Sequence, residues 1–186
     1  MESAMKKRGL SARDLCFIGL FVAVIAVCAQ ISIPFLGGIP FTLQTWAVAL
    51  AGVILGARKG TIAVIVYVLI GAVGVPVFTQ FRGGIGVITG VTGGFIVSFP
   101  VQAFMAGIFS RKNIPLLVLG LVIGTAINLT AGMHWFAFVS QGTIQAAFAA
   151  AVAPFILPEI IKIVVVILLG KSIQTALAKA QIHDII

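Results

Sequence analysis

Between Leu15 and Leu169 the chain carries seven charged side chains: Arg58, Lys59, Arg82, Arg111, Lys112, Glu159 and Lys162. The apolar runs between them exceed the roughly 18 residues that mark a membrane-crossing candidate. The chain is 61% apolar and 9% charged, against about 25% charged in soluble domains. At about 20–25 residues per helix, with connecting loops in addition, the natural count is six. The expectation is therefore an all-α integral membrane protein, a single transmembrane domain over residues 1–186.

Breaks in the apolar pattern place the spans at about 15–33, 42–57, 61–75, 94–109, 114–138 and 155–170, behind a basic lead-in over 1–14. Pro34, Arg58-Lys59-Gly60, Arg111-Lys112 and Ser140-Gln141-Gly142 mark the turns. Basic residues accumulate on the cytoplasmic side of membrane proteins. With the N-terminus inside, six crossings put Lys6, Lys7, Arg8, Arg13, Arg58, Lys59, Arg111, Lys112, Lys171 and Lys179 inside, and both termini are cytoplasmic. A net charge of +8 would suggest nucleic acid in a soluble protein. Here it follows from the orientation, and no nucleic-acid partner is expected. Cys16 and Cys28 share the first apolar segment and frame no disulfide scaffold. That segment lacks a clear small-x-small cleavage site and is expected to stay as a span.

The stretch Pro76–Gly94 separates two apolar runs and holds Arg82 with Gly83, Gly84, Gly86, Gly90, Gly93 and Gly94. Clustered glycines suit backbone that approaches a ligand or another backbone closely. Irregular chain at membrane depth must be covered by protein or line a cavity, so this stretch reads as the floor or lid of a small-molecule site.

Glu159 and Lys162 lie three apart and share a helix face. Counted from Lys171 at about 1.5 Å per residue, they fall at central to outer depth. An ionisable residue there costs about 2.5–3.5 kcal/mol and marks a functional site by default. A self-neutralised pair that only locks the last helix is the alternative. Arg82 reads as a third site charge or as a solvated loop anchor. Together the three carry +1, which suits a small monoanion, and Phe41, Phe78, Phe81 and Trp135 could cover its apolar body. Singly, each aromatic fits an interfacial belt equally well.

Other patterns are weaker. Gly84-x-Gly86-x-x-x-Gly90 has Thr89 where a dinucleotide fingerprint needs glycine, and no complete phosphate-binding loop occurs. His134 and His183 are too far apart for a metal site, and no carboxylate pair offers acid–base chemistry. Gly19-x-x-x-Ala23 forms a small-residue face on the first span that permits close docking of another membrane helix.

With these residues in place, the chain resembles the BioY family, the biotin-binding S components of energy-coupling factor (ECF) transporters. The matching stretches are Ile39–Thr45, Leu50–Gly56, Gly71–Phe78, Gly83-Gly84 with Gly90-x-Thr92-Gly93-Gly94-Phe95, and Pro154-Phe155 leading to Glu159-x-x-Lys162. The resemblance covers about residues 15–175. Three positions depart: Glu159 stands where the family usually has aspartate, Val91 where it often has proline, and Gly19 where it has alanine.

The resemblance implies a six-helix S-component bundle in the cytoplasmic membrane of a prokaryote. Biotin would be captured from outside for ATP-driven import, with no enzymatic activity in this chain and no cofactor. Its implied partners are a transmembrane coupling subunit, docking at Gly19 and Ala23, two cytoplasmic ATPase subunits and membrane lipid. The substrate-binding residues would be Arg82, Glu159, Lys162, Gln44, Thr42, Phe78, Gly83, Gly84, Gly93 and Trp135. Glu159 suits ureido N–H groups, and Lys162 and Arg82 suit the carbonyl or the carboxylate. The alternatives are an S component for thiamin or riboflavin, or a solitary small-molecule carrier. An intramembrane enzyme is disfavoured by the missing catalytic clusters.

Overall fold

The computed structural model describes residues 10–35 and 38–179. Lys6, Lys7 and Arg8 of the basic lead-in, Gly37 and His183 lie outside the described residues. The first helix, α1 (Ala12–Gln30), starts at a capping box in which Ser11 and Asp14 satisfy each other's backbone N–H groups. Its inward face is Ile18, Phe21, Ile25 and Cys28, a spacing of three and four residues. Leu20 and Val27 are more than half exposed on the opposite face. A two-stranded antiparallel ribbon follows, β1 (Ser32–Ile33) with β2 (Phe41–Thr42). This small ribbon departs from a purely helical expectation.

Helix α2 (Gln44–Ala72) is continuous by hydrogen-bond pattern but reverses direction at Gly56, where φ is 77° and ψ 174°. That left-handed backbone suits glycine, which has no Cβ to clash. Gln44 and Tyr67, 23 residues apart in sequence, meet side chain to side chain at 2.8 Å. On a straight helix they would stand about 35 Å apart. The two arms are therefore antiparallel, and Gly60 lies so close to Ala51 that a Cβ would sit 2.8 Å from its carbonyl oxygen. The turn falls at Gly56, ahead of the expected Arg58-Lys59-Gly60, because only glycine meets the dihedral there.

The Pro76–Gly94 stretch contains a 3-10 turn (Thr79–Phe81) and a short helix, α3 (Ile85–Thr89), neither anticipated from its glycines. Helix α4 (Gly93–Ile108) packs between α2 and α5 (Ile114–Val139). Small residues set both approaches. A Cβ on Gly52 would strike the Ala103 carbonyl, one on Gly107 the Ala57 backbone, and one on Gly132 the Phe95 ring. Such close backbone contact is how membrane helices associate when apolar burial gives no advantage over lipid. The alanine-rich segment forms α6 (Ile144–Ala151), and α7 (Ile156–Lys179) follows a second 3-10 turn (Ala153–Phe155). Pro158 sits in the first turn of α7, where its missing N–H breaks no helical bond. Gly170-Lys171-Ser172, the tail of a phosphate-loop motif, is ordinary helix.

Among the described residues, four stretches are long and apolar enough to cross a membrane: Ala12–Gln30, Gln44–Ala72, Ile114–Val139 and Ile144–Leu177. Gly93–Ile108 is a shorter apolar helix. Leu69, Leu157 and Leu168 are 58%, 68% and 66% exposed. An outer surface this apolar is suited to lipid, not water.

Candidate functional site

A cavity of about 290 Å³ opens among α2, α4, α5, α7 and the two irregular segments around residues 34–42 and 78–92. Small-molecule sites run from roughly 300 Å³ upward. Six of the expected residues line it: Thr42, Gln44, Phe78, Arg82, Glu159 and Lys162.

The charged end is built around a residue the sequence did not single out. Lys162 Nζ reaches Glu159 Oε1 at 2.7 Å and donates to Thr45 Oγ1 at 2.9 Å. Thr45 in turn donates its hydroxyl proton to Glu159 Oε1 at 3.0 Å. One carboxylate oxygen is thus saturated, while Oε2 has no hydrogen-bond partner among the described residues and is not sealed from the cavity. Glu159 itself is only 6% exposed. Arg82 is exposed at the cavity wall, and its guanidinium makes no ion pair or hydrogen bond with the described residues.

Gln44 works through its neighbours. Its Nε2 donates to Tyr67 OH at 2.8 Å, and its Oε1 accepts from Thr79 Oγ1 at 3.2 Å. Tyr67 OH passes its proton to the Val77 carbonyl at 2.9 Å. Gln30, at the end of α1, donates to the Phe78 carbonyl at 3.1 Å and accepts from Phe81 N–H at 2.8 Å. Both glutamines therefore strap residues 77–81 onto the bundle. The Phe78 ring completes the fastening: it is 1% exposed and fills the space a side chain on Gly71 would take. Thr42 Oγ1 accepts from the Gln44 N–H at 3.1 Å, and its hydroxyl proton remains available to a ligand.

Four expected site residues lie behind the wall. Gly84, with φ of 93°, donates its N–H to the Gly71 carbonyl at 2.7 Å. Gly83 packs so closely that a Cβ would stand 2.8 Å from the Gly74 carbonyl oxygen. The Gly93 N–H is bonded to the Gly90 carbonyl at 3.0 Å, so neither it nor the Gly84 N–H is a free donor for ligand. Trp135 Nε1 donates to the Gly90 carbonyl at 2.9 Å, clamping the start of α4. None of the four is among the cavity-lining residues. Phe81 points outward at 72% exposure. The aromatic wall comes instead from Phe35, Phe95, Phe99 and Phe155, with Phe41 stacked against Phe155 at 4.5 Å between ring centroids.

Tyr67 and Asn128 do carry a sequence signal: Tyr67 is the single tyrosine of the chain and Asn128 the one carboxamide within residues 114–138, and polar groups in apolar segments need a partner. Thr45 had none, because a threonine can satisfy itself on its own helix. Gly19 and Ala23 lie together on the exposed face of α1, with nothing within 4 Å of a Cβ built on Gly19.

Fold and site together define a small-molecule-binding membrane protein: an apolar helical bundle around a cavity with a charged end and an aromatic wall. The chain belongs to the BioY family, whose sequence model matches residues 3–179. A probable biotin transporter BioY of Pyrococcus horikoshii is 37% identical over 166 residues, 89% of this chain and 98% of the relative. A biotin transporter BioY of Thermotoga maritima is 40% identical over 164 residues, 87% of this chain and 96% of the relative. The solved S-component for biotin from an ECF-type ABC transporter superposes with a TM-score of 0.78 at 24% identity, covering 88% of this chain and 91% of that one. At that identity the likeness is one of fold.

Proposed function

We propose that this chain is the biotin-capturing S component of an ECF-type transporter, crossing a prokaryotic cell membrane six times with both termini in the cytoplasm. Folding α2 into two arms supports the count, since α1, both arms of α2, α4, α5 and α7 then make six rods. The orientation is supported by the gathering of basic residues at one end. Lys59 pairs with Asp14 at 2.6 Å, and Lys171 lies 3.4 Å from the Lys112 carbonyl.

One observation carries the reading: the open Oε2 of Glu159 beside Lys162 at the wall of an apolar cavity. Biotin offers two ureido N–H donors, a carbonyl, an apolar bicycle and a carboxylate. Glu159 accepts from a ureido N–H, the phenylalanine wall covers the bicycle, and Lys162 and Arg82 take the carbonyl and the carboxylate. With a formal charge of +1 from Glu159, Lys162 and Arg82, the cavity matches a monoanion. Residues 77–82, strapped by Gln30, Gln44 and Tyr67, cover the ligand from the outer side. ATP hydrolysis belongs to two partner ATPases, and a coupling subunit in the same lipid bilayer meets α1 at Gly19 and Ala23.

The test is a binding isotherm on the purified protein with biotin, thiamin and riboflavin. Saturable binding of biotin alone is expected. Preference for either of the other vitamins would overturn the substrate, and biotin uptake by cells lacking every coupling subunit would indicate a solitary carrier.

A further inference from the structure

Asn128 is a buried carboxamide in the middle of α5, 2% exposed, at the wall of the cavity beside Phe95, Phe99 and Leu129. Its orientation follows from its partners. Nδ2 lies 2.8 Å from the Phe95 carbonyl oxygen, which can only accept. It also lies 2.8 Å from Ser98 Oγ, whose own proton goes to the Gly94 and Phe95 carbonyls at 2.8 and 3.0 Å, leaving that oxygen an acceptor. Both Nδ2 protons are thus used, and a flipped amide would set oxygen against oxygen. Oδ1 has no hydrogen-bond partner among the described residues, and it is not among the polar atoms sealed from all access. It faces the cavity.

A buried amide oxygen needs an N–H or O–H donor, and at the cavity wall a ligand can bring one. Glu159 Oε2 on α7 is the other open acceptor described above, so the cavity presents two acceptors from two helices. We propose that Asn128 is a ligand-reading residue that accepts one N–H of the substrate while Glu159 accepts another, so that the site selects molecules with two N–H donors, as in a cyclic urea. This rests on the assignment of biotin to the cavity.

The experiment compares biotin with two analogues, each methylated at one ureido nitrogen, on wild type and Asn128→Leu. Both analogues should bind wild type about tenfold to a hundredfold more weakly than biotin, because each leaves one buried acceptor unpaired. In Asn128→Leu, biotin itself should weaken by a similar factor. One analogue should then bind within about threefold of biotin, while the other keeps its penalty at Glu159. A residue that only braced α5 against α4 would leave both penalties in place. If the leucine variant is not recovered folded, the same ratios are read on Asn128→Ala. Wild-type biotin affinity in the variant, or survival of both penalties, overturns the role of Asn128. Failure of wild type to bind biotin at all would instead remove the substrate assignment, and this inference would fall with it.

Discussion

Thr45 Oγ1 stands 3.0 Å from Glu159 Oε1, joining the start of α2 to the start of α7 across 114 residues of sequence. The same oxygen accepts from Lys162 Nζ at 2.9 Å, so a neutral hydroxyl completes the triangle of the ion pair. Replacing it by the isosteric valine removes one donor and one acceptor without changing volume. Leaving buried polar groups unpaired costs about 1–3 kcal/mol. Thr45→Val should lower the melting temperature and weaken biotin binding by about tenfold or more. No change in either would mean that the bridge is incidental.

The ion pair itself separates scaffold from site. A buried pair replaced by apolar groups of similar volume is often neutral or stabilising, while removal of one partner costs about 3–5 kcal/mol. Glu159→Leu alone should therefore melt lower than the double variant with Lys162→Met. The double variant should keep the wild-type melt yet lose biotin affinity, by about tenfold to a hundredfold for each charge-assisted bond. An isotherm at wild-type affinity on that folded double variant would make the pair scaffolding.

The strap over the cavity depends on the slot at Gly71. A Cβ there would run into the Phe78 ring, and overpacking costs about 1–3 kcal/mol. Gly71→Ala should loosen residues 77–82, seen as faster labelling of a cysteine placed at 82. Adding Phe78→Leu should restore part of the protection. Slow labelling in the single variant would show that another fastening dominates.

Orientation is open to labelling in sealed cells. A cysteine at 58, beside the Gly56 turn, should resist an impermeant reagent from outside. A cysteine at 82 should react when no ligand is bound. The reverse pattern would invert the topology.

Gly19 and Ala23 form a small-residue face on α1 among exposed Leu15, Leu20 and Val27. Gly19→Trp covers it without touching the cavity. Uptake in cells with a full set of partner subunits should fall to background, while biotin binding by the purified variant stays within about twofold, the scale of an uninvolved surface change. Equal loss of both would reject it as a docking face.

Much of the architecture was legible because lipid makes local demands. Seven charges between Leu15 and Leu169 leave long apolar runs that only helices can carry through a bilayer. Glu159 and Lys162 stood out because charge at that depth is expensive and their spacing of three puts them on one face. Gln44 and Phe78 were named as binding residues; both line the cavity, and their bonds and packing also hold the strap over it.

The order of residues dictates which segments must be helical, which side chains need a polar partner, and where one face must stay small. It could not say which partner each would find. Gly83, Gly84, Gly93 and Trp135 belong to the stretch or the helix end that shapes the site, yet none lines the cavity, and Gly84, Gly93 and Trp135 spend their N–H groups on backbone carbonyls. Thr45, Tyr67 and Asn128 became part of it only when the reversal at Gly56 and the close approaches at Gly52, Gly107 and Gly132 set the helices in register. Helix periodicity is a property of neighbours four residues apart, whereas the meeting of Thr45 with Glu159 depends on the rotation and depth of two whole helices. Those are set by packing against a third helix, and only the folded chain contains that information.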